Sequence, residues 1–292
     1  FGCAMFATNT IITATFQGLS GTPTADFLEL TSANLPTPTI ADGSKYFQTT
    51  LYTGTGSSQA VTQSGNSTFQ PDWVWIKGRS GATEHVLTDA VRGVTKELSS
   101  NDNGAEETVA QGLTTFGSAG FTVGTDGSYN TSSATYVGWQ WKANGAGSSN
   151  EDGDTTSTVS ASATSGFSIV KWTGTGANTT LGHGLGVAPK MILVKNTGAV
   201  DSWVVYHEDV GATKGLTLDT TAAPTTASTF FNNTAPTSSV FSIGSGGRTN
   251  QSTKVMIAYC LAEIPGYSSI GSYTGNSSTD GPFVYTGFKP AF

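Results

Sequence analysis

The chain has 292 residues, enough to bury a sizeable core. Only 11 % are charged, the formal net charge is -7 and no long basic run occurs, which speaks against nucleic acid or anionic lipid as a partner. Two cysteines cannot make a disulfide framework, and no apolar run is long enough for membrane insertion.

Residues 1–44 read as an N-terminal strand followed by a proline-rich arm. Ile11-Ile12-Thr13-Ala14-Thr15-Phe16 is rich in branched residues, as strands are. Leu35-Pro36-Thr37-Pro38-Thr39 cannot continue a ladder, because each proline lacks a donor. The first residue is Phe1, with no basic segment of a signal peptide behind it, and is not expected to be the first residue translated.

Residues 45–144 form a first repeat. Strands are predicted over 46–53, 73–77, 85–89, 95–99, 121–123 and 136–142, with one short helical turn over 105–111. Strand 73–77 is apolar on both faces, which predicts a central position. Residues 145–164 are rich in Gly, Ser, Thr, Asn and Asp and read as a flexible, exposed linker. Residues 165–266 form a second repeat, with strands over 167–172, 191–195, 203–207, 240–244 and 256–262. Pro71 to Leu98 aligns with Pro189 to Leu216 without a gap at a constant offset of 118, which becomes 120 further on. Residues 267–292 open a third copy with Tyr273-Thr274-Gly275. The fold class is therefore all-β: tandem antiparallel β-sandwich (jelly-roll-like) domains with an N-terminal arm. The last segment supplies only one or two strands, which are marginal alone. It is expected to complete the second sandwich or to add a strand to a neighbouring subunit.

Several of these motifs carry a resemblance. Ser32 to Ile40, Leu51-Tyr52-Thr53-Gly54, Pro71-Asp72-Trp73-Val74-Trp75-Ile76-Lys77, Val91-Arg92-Gly93-Val94-Thr95-Lys96 and Ala258-Tyr259-Cys260-Leu261-Ala262-Glu263 resemble tail-fibre-like virion structural proteins of tailed bacteriophages, marine ones especially. The most specific block is Gly271 to Asn276 with Asp280 to Phe292. The resemblance covers roughly 32–292. It implies a large structural polypeptide of the virion, often behind a concanavalin-like lectin domain, whose third repeat continues beyond Phe292. It carries no catalytic residue.

The residues themselves offer candidate sites, each with a plainer reading beside it. Trp73, Trp75, Trp139, Trp141, Trp172 and Trp203 could stack on sugars, but all lie in predicted strands and suit core packing. Lys77 and Lys195 end equivalent strands, as Lys96 and Lys214 sit at equivalent later positions; sheet capping or a carboxylate partner explains both pairs. His85, Asp89 and Arg92 lie close in sequence, yet no nucleophile elbow accompanies them. Glu106-Glu107 and Glu208-Asp209 are not glycosidase dyads in themselves, because neighbours on a strand point to opposite faces, though a pair could form across the repeats. Asn150-Glu151-Asp152-Gly153-Asp154 is an oxygen-rich turn without the full Ca²⁺-loop spacing. Cys260, inside an apolar strand, reads as a buried free thiol.

No catalytic, metal or cofactor site is assigned from these residues, and an enzyme is not expected. The favoured function is a virion protein, a tail fibre or appendage contacting the host surface. Its partners would be other copies of itself, other virion proteins and a host surface glycan. The alternatives are a capsid decoration protein, a cell-surface adhesin or filament subunit and, last, a carbohydrate-active enzyme.

Overall fold

A computed structural model gives the fold and describes residues 38–288 and 290. The expected strand over 11–16 and Cys3 lie outside the described residues.

In the first repeat the chain runs through β1 (Phe47–Thr53), β2 (Gln59–Thr62), β3 (Trp73–Gly78), β4 (His85–Asp89), β5 (Lys96–Ser99), β6 (Glu107–Thr108), β7 (Leu113–Gly117), β8 (Gly120–Val123), the single-turn helix α1 (Gly127–Asn130) and β9 (Thr135–Trp141). These form a six-stranded sheet, β1-β9-β3-β4-β5-β6, and a three-stranded sheet, β2-β8-β7. Next come β10 (Ser148–Asn150) and β11 (Ser157–Ser162), then β12 (Phe167–Thr173), β13 (Thr179–Gly182), β14 (Met191–Asn196), β15 (Val204–His207), β16 (Lys214–Thr217) and β17 (Thr225–Thr226). The helical turn α2 (Ser228–Phe231), β18 (Val240–Ile243), α3 (Gly247–Asn250) and β19 (Val255–Leu261) complete the second repeat. Here the large sheet has eight strands, β10-β11-β12-β19-β14-β15-β16-β17, and β13-β18 form the small one. The fold is all-β, with antiparallel pairing throughout its ladders. The order β1-β9-β3-β4-β5-β6 recurs as β12-β19-β14-β15-β16-β17.

Side chains alternate across each strand, so one strand can feed two cores. Val74 and Ile76 pack between the two sheets of the first repeat, with Val61, Phe121 and Tyr136. Trp73 and Trp75 point the other way, into a second core. In β19, Met256, Ala258 and Cys260 face the small sheet of the second repeat. Ile257, Tyr259 and Leu261 join Trp73 in the second core, with Leu87, Phe167, Leu193 and Trp203. The two large sheets thus pack face to face, and the double-sided apolar strands are the ones covered on both sides. Trp73 stacks on Tyr259 at a centroid distance of 4.3 Å and on Phe167 at 5.4 Å. Each such aromatic pair adds about 0.5–1.5 kcal/mol beyond the area it buries.

The repeats also share fine detail. Asn130 accepts from the Thr55 N–H and donates to the carbonyls of Ser57 and Gly124. Asn250 accepts from the Thr175 N–H and donates to the Ala177 carbonyl. Both asparagines are fully buried and pin the turn after the first strand of their repeat. That turn approaches them closely: a Cβ on Gly54 would lie 2.2 Å from the Thr131 carbonyl oxygen, and one on Gly174 would lie 2.1 Å from that of Gln251.

Three expectations need correction. The segment 145–164 is not a free linker, because it carries β10 and β11, and β11 pairs with β12 from Thr158–Lys171 to Ser162–Phe167. Its polar composition misled because Ser and Thr hydroxyls suit a half-buried strand, and Val159 supplies the apolar anchor. No helical turn forms over 105–111; Glu107 and Thr108 pair instead with Glu97 and Lys96. A ladder to an existing strand avoids the cost of nucleating so short a helix. Finally, 267–288 does not complete the second sandwich. It has no strand, only an isolated bridge from Ser268 back to Ile264. Tyr267 packs edge-on against Tyr46, while Tyr273, Phe283 and Tyr285 are exposed.

Candidate functional site

The densest polar chemistry among the described residues lies between the two repeats. Asp89, at the end of β4, is fully buried and accepts from the Val91 and Arg92 N–H groups through Oδ1. Its Oδ2 takes the Arg92 Nε–H and the Tyr259 hydroxyl, the latter at 2.8 Å. Arg92 also donates to the Leu87 carbonyl at 3.0 Å and reaches the Tyr259 hydroxyl and Glu106 at 3.3 Å. Burial opposes the charge on Arg92, but Asp89, Tyr259 and Glu106 outweigh it and raise its pKa. Burial likewise raises the Tyr259 pKa, so its hydroxyl stays protonated and donates. This network can hold charge and orient β19. Asp89, Arg92 and Tyr259 are enclosed and bonded to one another, and Glu106 is part-exposed.

Around it, the second repeat donates to backbone carbonyls of the first. Lys171 Nζ reaches the Val91 carbonyl at 2.8 Å, Trp203 Nε1 the Ser99 carbonyl at 2.8 Å, and Lys195 Nζ the Asn103 carbonyl at 3.0 Å. In return the Glu106 N–H donates to the Thr197 carbonyl at 2.9 Å. These bonds fix the angle between the repeats, as the aromatic stack alone cannot.

The sequence candidates divide accordingly. Lys77 bonds to the Thr83 carbonyl, and the fully buried Lys195 bonds to that of Asp201, at the matching place in the second repeat. Both tie the turn of their own hairpin, and burial lowers the pKa of Lys195. Lys96 meets Thr108 and Glu106, while Lys214 is exposed. Asp89 and Arg92 come together, but His85 does not join them: four residues along a strand separate it from Asp89 by about 13 Å. It faces Lys77 across β3 instead.

Glu106 is committed to Arg92 and Lys96. Glu208 and Glu263 both bind Lys190, at 2.9 and 2.8 Å, and Asp209 follows Glu208 in sequence. Burial pushes the Glu263 pKa up, but its bonds from Lys190, Ser269 and the Ile270 N–H win and hold it below the ordinary carboxylate value. A general acid needs the opposite shift. Of the tryptophans, Trp73, Trp172 and Trp203 are buried, and Trp75, Trp139 and Trp141 are half-buried. In the acidic turn Asn150 donates from Nδ2 to the Asp152 carboxylate and accepts the Asp152 N–H, and Asp154 accepts from the Thr180 hydroxyl. Gly153 lets it lie against β13, where a Cβ would sit 2.4 Å from the Thr180 carbonyl oxygen. Cys260 is a buried free thiol whose pKa burial pushes up to about 12. A shallow recess of about 280 Å3 opens beside β11 and β12, lined by Ser149, Thr156, Thr158 and Thr173 and by no carboxylate.

Fold and site together define an all-β structural unit: two copies of one antiparallel sandwich, joined through a core that both build. The model of the family described as "Domain of unknown function (DUF7483)" matches residues 42–292, so the chain belongs to that family. No curated protein and no solved structure matches the chain.

Sequence reasoning missed Tyr259 and Glu106 as partners of Arg92. A signal existed in the alignment of the repeats, where Trp139 and Tyr259 hold equivalent places and only the tyrosine carries a hydroxyl.

Proposed function

We propose that the chain is a structural protein of a bacteriophage virion, a tail fibre or similar appendage that contacts the host surface. The observation that carries this reading is where the buried charges go. Asp89, Arg92 and Lys195 are all spent on holding one repeat to the other or on closing its turns. A protein built to bear load has a use for such ties, whereas an enzyme needs unspent groups at a cleft. The resemblance of the Tyr-Thr-Gly, Pro71–Lys77 and 271–292 motifs to tail-fibre-like proteins supplies the particular class. The low charge content fits a particle exposed to the medium.

Gold-labelled antibody raised against the purified chain, applied to particles of a phage that encodes it, tests the reading. Label on the tail or its fibres is the expected result. Label over the capsid surface would favour a decoration protein instead, and particles without label would overturn a virion role altogether.

A further inference from the structure

The two large sheets differ at one edge. In the second repeat, β12 is flanked by β19 on one side and by β11 on the other. Ile169 pairs there with Ser160, and Lys171 with Thr158. In the first repeat the equivalent strand, β1, is the last strand of its sheet among the described residues. Residues 38–42, which stand where β11 stands, do not fold back along it. Pro38 has no N–H to give a ladder. The chain is drawn away instead, with the Thr39 N–H bonded to the Pro265 carbonyl and Pro38 packed on Gly266.

The direction of the backbone groups follows from the ladder. The Lys142 N–H donates to the Tyr46 carbonyl, and the Gly54 N–H to the Ala134 carbonyl, so the even residues of β1 face β9. The odd ones therefore turn their N–H and C=O outward. Among the described residues nothing bonds to those groups of Thr49 or Leu51. Thr49 is exposed, and Leu51 is 60 % exposed. Natural edges are guarded by charge, proline or a bulge. The seven residues of β1, Phe-Gln-Thr-Thr-Leu-Tyr-Thr, contain no charge and no proline and pair with β9 without a break in register.

We infer that β1 is a docking edge, and that its occupant is β1 of a second copy of this chain, added antiparallel across a two-fold axis. The sequence is self-complementary in the register centred on Leu51. With Leu51 opposite Leu51 of the other copy, Thr49 falls opposite Thr53 and Thr53 opposite Thr49. Apolar residues and Thr–Thr pairs are then matched across the strands, and no like charges meet. The outward N–H and C=O groups of Thr49 and Leu51 join the new ladder, and Thr53 contributes on releasing the Gln59 amide now on its carbonyl. The two six-stranded sheets become one continuous sheet, and the dimer is closed, because a two-fold edge contact uses each β1 once. This inference rests on the reading of the chain as an assembling component and adds the surface by which it assembles.

The test uses the chain of 292 residues. Its mass by sedimentation velocity should be twice the 30.0 kDa of the monomer. Leu51→Lys and Thr49→Pro, both on the solvent side of an edge, should each give a monomer with an unchanged circular dichroism spectrum. In a Cys3→Ser background, Leu51→Cys should form a disulfide-linked dimer on mild oxidation, since facing residues of a hydrogen-bonded pair lie about 5.5 Å apart, within disulfide reach. Ser245→Cys, exposed on a distant loop, should not. A monomeric parent chain, a trimer, or a dimer that survives both substitutions would overturn the inference. The particle-labelling result is independent of it: labelled tails with a monomeric chain refute the edge contact alone.

Discussion

Replacing Arg92 with methionine is the sharpest perturbation of the joint between the repeats. The guanidinium reaches Asp89, Glu106, the Leu87 carbonyl and the Tyr259 hydroxyl. Methionine fills much of the volume but removes every one of these contacts. Asp89 keeps two backbone N–H groups and the Tyr259 hydroxyl, yet its charge is left buried with no cation against it. Stranding one member of a buried ion pair costs about 3–5 kcal/mol. The Asp89→Asn/Arg92→Met double variant should be much less damaged. Its amide oxygen still accepts the two N–H groups, and its NH2 can donate to the Tyr259 oxygen. Urea unfolding of the parent, both single variants and the double variant gives the cycle, with a coupling energy of at least about 2 kcal/mol. An Arg92→Met loss below about 1 kcal/mol, or a double variant as unstable as the summed singles, would refute the argument.

Further outcomes follow from other parts of the molecule. Neutral His183, fully buried, accepts from the Leu185 N–H at Nδ1 and donates from Nε2 to the Thr237 carbonyl, and burial lowers its pKa below 6.5. Between that lowered pKa and 6.5 the unfolded chain binds more protons, so the contribution is complete above about 6.5 and shrinks as pH falls through the window. His183→Gln should flatten this part of the pH–stability profile, and an unchanged slope would contradict the assignment. Asn130→Ala and Asn250→Ala each leave buried backbone groups unsatisfied and should each cost at least about 2 kcal/mol by urea unfolding. A large loss at one site with none at the other would show that the two pins are not equivalent. In a Cys3→Ser background, Cys260 should resist alkylation in the native state and react only as fast as the chain unfolds. Rapid labelling of folded protein would show that the core between the two sheets of the second repeat is open to solvent.

Much of the fold was legible because its signals are local. The short apolar runs in Trp73–Lys77 and Met256–Ala262, and the matched Pro, Gly-x-Thr-Lys and Tyr-Thr-Gly positions, mark strands and a duplication without any knowledge of contacts. The signals that failed were those decided by a distant partner. Ser157–Ser162 becomes a strand because β12 offers it a ladder, and Glu107–Thr108 because β5 does. The apolar character of both faces of β3 announced burial, but not that the covering face belonged to the other repeat. The joint itself was least legible. Asp89 and Arg92 stood out by their spacing, whereas Tyr259 lies 170 residues from Asp89 and shows its role only when the sheets are stacked.

Native-state hydrogen exchange tests the central structural claim most directly, that both repeats form one body through a shared core. Amides in β3 and β9 and amides in β14 and β19 should open together, with the same free energy and the same dependence on urea, since Trp73 and Tyr259 cannot part without exposing both sheets. If the strands of one repeat exchange through a lower-energy opening while the other stays protected, the repeats are separate folding units and the account is wrong.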